Sequence, residues 1–240
     1  MESLETELER ARELRVDELA DAVQRIGFEC TRCGACCRGE NEGNKNEGSE
    51  NDWKNRDGSD EGVGVNESDH TATIFPEEVR TIQAAGEYDW RDVARPMPFG
   101  LSPGEEGLEG ETFEWAIQTT DCGDCTFYRE RDGVGRCAVH PERPLICRTY
   151  PFSVDFGTTE PMGATVDREG PVRAHECEGL GRDIDREDAL SLAETLKTRT
   201  IRELEEAIAL RDEYEPAERA GVIVHDSEGA KRPDGRSIDR

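Results

Sequence analysis

The sequence predicts an α+β protein: a small, irregular, metal-stabilised, cysteine-rich domain with short antiparallel strands, flanked by N- and C-terminal helices. Three observations predict it. Apolar residues recur at helical spacing near both ends, short alternating runs lie between them, and nine cysteines stand in a chain poor in apolar residues. Hydrophobic residues make up 34% and aromatics 6%, against roughly 45–50% apolar in ordinary domains. Ordering each residue costs about 1–2 kcal/mol of backbone entropy, so the chain needs stability beyond a core, and the cysteines are the evident supplement.

Leu4, Leu8, Ala11, Leu14, Leu19, Val23 and Ile26 space an amphipathic helix over residues 1–27, with a break near Asp17 and Gly27 as its stop. The cysteine-rich domain follows over 28–182. Within it, residues 39–69 carry ten acids against three bases, with abundant Gly and Asn, and read as a disordered acidic insertion. Pro76 starts a short helix over 77–85. Phe113, Trp115 and Ile117 alternate with polar residues and predict one half-buried strand. Asp132-Gly133 favours a tight hairpin between strands near 126–128 and 135–139, which would set the cysteines on either side face to face. A C-terminal helix lies within 183–221, capped by Asp185, with Leu190, Ala193, Leu196, Ile201, Leu204 and Ile208 as its apolar stripe. It is expected to close over the cysteines. Residues 222–240 read as a disordered, charge-rich tail.

Charge narrows the function. The net charge of -26 repels nucleic acid and anionic membrane. Four Lys stand against 26 Arg, a balance that points to a salt-rich cytoplasm such as that of a halophilic archaeon, where salt screens the self-repulsion. No apolar run approaches the ~20 residues needed to span a bilayer, and the acidic start is unlike a signal peptide. In the reducing cytoplasm so expected, the cysteines read as metal ligands or catalytic thiols rather than disulfides.

The strongest motif is Cys30-Thr31-Arg32-Cys33-Gly34-Ala35-Cys36-Cys37, four thiols in eight residues. Two intervening residues let successive sulfurs converge on one centre, and Gly34 frees the backbone for the turn. The C-x2-C-x2-C part is also the spacing of bacterial ferredoxins. Adjacent Cys36 and Cys37 are expected to point apart and serve different centres. A second constellation comprises Cys122, Cys125, Cys137 and Cys147, joined by Cys177. Nine cysteines would fill two four-thiolate sites with one left over. Across 122–152 five Arg oppose four acids, a local reversal that offsets thiolate charge. Arg143 and Arg148 are therefore the candidate cofactor-binding residues, as donors to sulfur and nearby carboxylates. His140 and His175 have spacings that would permit ligation, whereas His70 and His225 lie beside the stretches read as disordered and receive no role. No phosphate loop, dinucleotide fingerprint or nucleophile elbow is present.

Together with Cys30 to Cys37, the runs Cys125-Thr126-Phe127, Gly135-Arg136-Cys137-Ala138-Val139-His140 and Arg143-Pro144-Leu145-Ile146-Cys147-Arg148-Thr149-Tyr150-Pro151-Phe152 resemble the YkgJ-like CxxCxxCC cysteine-cluster family. The resemblance covers roughly residues 28–180 outside the insertion. It implies zinc or iron chelation, with Cys177 as the later cysteine of the pattern and Cys122 as an addition to the usual eight. The expected function is a cysteine-ligated metal-binding protein, holding an iron-sulfur cluster (4Fe-4S) or zinc in a structural or redox role. Flagellin lysine methylases carry a similar signature, so a metal-dependent protein lysine methylase is the alternative, with metal delivery as a third option. The partner expected is a metal ion or cluster, with no nucleic acid and no membrane.

Overall fold

The computed structural model describes residues 3–39, 71–104, 107–156, 164–217 and 220–238. Residues 40–69 of the acidic insertion, and His70 after it, lie outside them. The helical periodicity at the start resolves into α1 (Leu4–Glu13) and α2 (Val16–Ile26). Ser3 caps α1 by accepting from the Thr6 amide, and Gly27, at φ 78°, ends α2. α3 (Pro76–Ala85) begins on its proline, and Glu78 reaches back to accept from the Phe75 amide at 3.0 Å. α4 (Trp90–Val93) and α5 (Leu145–Thr149) are single turns. α6 (Arg186–Glu213) is capped by Asp185, which accepts from the Asp188 amide at 2.9 Å. α6 packs on α1, α2 and α5.

Short strands fill the middle of the chain. β1 (Thr73–Ile74), β5 (Trp115–Ile117) and β2 (Ala94–Pro96) form one antiparallel sheet in that order. β8 (Phe152–Val154), β10 (Val172–His175) and β9 (Thr165–Glu169) form a second. A third runs β12 (Gly229–Lys231), β11 (Val222–Asp226), β4 (Gly107–Phe113) and β3 (Leu101–Gly104). Its β11–β4 pair is parallel, the other pairs antiparallel. β6 (Tyr128–Arg131) and β7 (Val134–Cys137) make the hairpin that Asp132 and Gly133, both at positive φ, turn.

Two sequence expectations are corrected. Phe113, Trp115 and Ile117 do not share a strand. The chain bends at Glu114 (φ 74°), whose amide donates to the His225 carbonyl at 3.0 Å. Phe113 thus ends β4 with 43% of its surface exposed, while Trp115 to Ile117 are wholly buried in β5. Nor are residues 222–238 disordered. β11 joins a sheet, Ile223 and Val224 are buried, and the charges within this segment pair with one another. Lys231 Nζ lies 2.8 Å from Asp226 and 2.7 Å from Glu228, and Trp115 Nε1 donates to Asp226 at 2.8 Å. His225 is likewise buried, its Nε2 2.8 Å from Glu111.

The apolar residues gather in two cores. One joins α2 and α6 to β8 and β10 through Leu19, Val23, Phe152, Val172, Ala193 and Leu196. The other gathers Ile74, Ile82, Trp90, Trp115, Phe127 and Val224, and Cys125 belongs to it. Of the apolar stripe read on α6, Ala193 and Leu196 are buried, while Ile201, Leu204 and Ile208 are half-buried.

Glu206 on α6 is 3% exposed; one carboxylate oxygen accepts from the Ser227 amide at 2.7 Å. The other has no hydrogen-bond partner among the described residues. Burial first, then Asp226 and Glu77, holds this carboxyl above its usual range. A raised folded-state pKa means that the folded chain holds a proton which the unfolded chain has released. The favourable contribution is therefore complete below the ordinary carboxylate pKa and is lost as pH rises through the raised value. Glu206→Gln should melt above the native chain at about pH 8, by about 1–3 kcal/mol for one buried unpaired oxygen. The gap should close towards about pH 4. Parallel melting curves across this range would refute the assignment.

Candidate metal centre

The first cysteine cluster is positioned by main-chain pairing with the segment around Cys177. The Glu29 amide donates to the Gly179 carbonyl at 3.0 Å and the Gly181 amide to Gly27 at 3.0 Å, with a further bridge from Phe28 to Leu180. Cys30 is thereby brought beside the turn in which the Gly179 amide donates to Cys177 Sγ at 3.4 Å. Gly179 must be glycine here, because a Cβ would lie 2.2 Å from the Glu29 carbonyl oxygen. The chain then reverses through Arg32 and Gly34, both at positive φ, into a 3₁₀ turn, Ala35–Cys37. Gly34 also admits the Tyr128 ring, whose hydroxyl would be 2.4 Å from an added Cβ.

Cys37 leaves this turn towards the other constellation. Its carbonyl accepts from the Cys125 amide at 2.8 Å. Cys137 stands opposite Tyr128 in the hairpin, and the Ala138 amide donates to the Phe127 carbonyl, closing that loop around Cys125. Cys147 lies on α5, whose first amide, Leu145, donates to the Glu78 carboxylate at 2.7 Å. Cys37, Cys137 and Cys147 all pack against the core that includes Cys125.

The thiols influence one another in two neighbourhoods. Burial, then Cys33, Cys36 and Cys30, pushes Cys177 upward. Burial pushes Cys125 up to about 11, with Cys137 and Cys36 adding to the rise. Cys147 is raised by burial and then by Cys125, Cys36 and Cys137. Cys36 and Cys37 have sulfurs 3.9 Å apart, closer than the divergence expected of neighbours. The hydrogen bond between them lowers Cys36 to about 7 and raises Cys37. Cys36 thus faces both neighbourhoods, while Cys37 belongs with Cys125 and Cys147. Among the described residues, no three His, Cys, Asp or Glu side chains are drawn together closely enough to hold a metal ion as they stand.

The remaining candidates separate clearly. Cys122 is exposed, its sulfur 3.1 Å from the Thr120 hydroxyl. His140 is exposed and is lowered by burial, Arg143 and Arg32. His175 Nε2 lies 2.9 Å from Ser153 Oγ, and this ring is lowered by burial with Arg199 and Arg173 nearby. The charges that act on these two rings are those of arginines. Arg143 favours the thiolate forms of Cys36, Cys137 and Cys147. Arg148 is exposed. Tyr150 was not singled out from the sequence. Burial lifts its hydroxyl to about 12, with Cys177 and Cys36 adding, and it donates to the Glu176 carbonyl beside Cys177. Its only signal in the sequence was its place in the Arg-Thr-Tyr-Pro-Phe run.

Thiols brought together from distant parts of the chain are the donors that soft or borderline metals take. The family model for CxxCxxCC, described as "Putative zinc- or iron-chelating domain", matches residues 29–178, more than half of the chain, and the chain belongs to that family. No curated protein and no solved structure gives a significant match. No helix among the described residues is long and apolar enough to cross a membrane.

Proposed function

We propose that this protein holds metal in two four-thiolate centres, one from Cys30, Cys33, Cys36 and Cys177 and one from Cys37, Cys125, Cys137 and Cys147, in a structural or redox role in a salt-rich cytoplasm. The observation that carries this reading is the pair of main-chain ties, Glu29 to Gly179 and Cys37 to Cys125, which draw the two halves of one short motif to different partners. The first set has three thiols at C-x2-C-x2-C spacing and one remote thiol, a donor set that fits a 4Fe-4S cluster. The second takes each thiol from a separate element and fits zinc or a cluster equally. Such a group supplies one-electron chemistry if iron-sulfur and cross-linking alone if zinc. Arg143 offsets the thiolate charge of both sets, and the burial of Cys125, with Cys37, Cys137 and Cys147 partly buried against the same core, limits water at the second.

Anaerobically purified protein should be brown, contain iron and acid-labile sulfide, and bleach on oxidation. Cys33→Ser should remove most of the colour, and Cys122→Ser almost none. A colourless preparation with stoichiometric zinc and no sulfide would overturn the iron-sulfur assignment in favour of zinc.

A further inference from the structure

Cys36 and Cys37 lie in one 3₁₀ turn with sulfurs 3.9 Å apart, yet the main chain sends their partners to different sides. Cys36 is exposed, whereas Cys37 packs against the core. A small oxidant can therefore reach the first sulfur, and the second lies 3.9 Å from it. We propose that Cys36 and Cys37 form a two-electron redox switch in which one disulfide withdraws a ligand from both metal centres at once. The proposal rests on the two-centre reading above.

The oxidant class is a hydroperoxide. Cys36 thiolate attacks one peroxide oxygen, the O–O bond breaks, and hydroxide leaves, giving a sulfenic acid. Cys37 thiolate then attacks that sulfur, the S–O bond breaks, and a second hydroxide leaves. Two thiolates lose two electrons, and hydrogen peroxide is reduced to two hydroxides, which take protons from solvent. The sulfurs must close to about 2.05 Å. Neighbouring Cα atoms are ~3.8 Å apart, below the ~4.4–6.8 Å usual for disulfides, and strain of that kind makes the bond easy to reduce. The switch is therefore reversible by a dithiol.

The test uses the full chain loaded with zinc, whose redox inertness leaves the thiolates as the electron source. Zinc counted before oxidation checks the two-centre reading separately, through a value of two per chain. Graded hydrogen peroxide should then release two zinc ions per disulfide formed. The tryptic peptide 33–38 should become two hydrogens lighter, with fragmentation placing the bond between Cys36 and Cys37. Dithiothreitol should restore zinc uptake. Cys36→Ser should slow release from the remaining centre at least severalfold. Should that variant fail to fold, the native peptide map decides alone. Release of one zinc per disulfide, or a first disulfide joining any other pair, overturns the switch while leaving the two centres standing.

Discussion

Stripping the metal with a chelator is expected to lower the melting temperature steeply and to open residues 28–39 and 119–152 to protease, while α1, α2 and α6 keep most of their helical signal. The division follows from the cores. Cys125 belongs to the core around Trp115 and Phe127, and Cys37, Cys137 and Cys147 pack against it. The core beneath α2 and α6 is built from Leu19, Phe152, Val172 and Leu196 without a thiol. Structural zinc contributes an apparent ~10–16 kcal/mol in small finger peptides, as much as the ~5–15 kcal/mol that holds a whole domain folded. Losing it leaves thiols whose ionisation is unfavourable, first through burial and then through one another, as the upward shifts of Cys125 and Cys147 show. Cys147→Ser should reproduce the effect. An unchanged melting curve after verified metal removal would defeat this account, and uniform loss of helix would defeat its division into halves.

Asp226→Ala is expected to cost about 3–5 kcal/mol, the usual penalty for breaking a buried ion pair. Asp226 has a fully buried carboxylate that binds Lys231 and accepts from the indole of Trp115. Its loss leaves the Lys231 ammonium, 3% exposed, with Glu228 as its remaining carboxylate among the described residues and the Trp90 ring 5.5 Å away, and it removes the acceptor of the Trp115 N–H. Glu228→Gln removes a carboxylate that is 40% exposed and should cost under about 1 kcal/mol. Replacing Asp226 and Lys231 together by Leu and Met should recover much of the loss, because no isolated charge then remains. Chemical denaturation in high salt separates these cases. An Asp226→Ala midpoint within about 1 kcal/mol of the native one would show that the pair is not a structural centre.

Local signals were legible and distant pairings were not. Asp185 and Pro76 announce helix starts because capping depends on a few adjacent residues, and Asp132-Gly133 announces its hairpin because positive φ is a local demand. The thiol-rich segments stood out by spacing alone. Val222–Asp226 did not, since its burial depends on a parallel pairing with Gly107–Phe113, more than a hundred residues earlier. Its Asp226 and Lys231 looked like surface charge because nothing in the sequence reveals that they face each other inside the molecule. The strand read through Phe113, Trp115 and Ile117 failed for a related reason: the bend at Glu114 is held by His225, and alternation is blind to it. That Arg143 acts on Cys36, Cys137 and Cys147 at once depends on how those thiols are brought together, and linear spacing carries no such information.

The lateness of β11 also bears on biosynthesis. A growing chain exposes its last cysteine, Cys177, before Val224 and Asp226 have been made. Val224 fills the same core as Cys125, and Asp226 anchors Trp115. Every thiol thus leaves the ribosome ahead of the strand that completes the wall behind it. Metal captured before that strand emerges meets an unfinished scaffold, and the order of events favours loading once Val224 and Asp226 are in place.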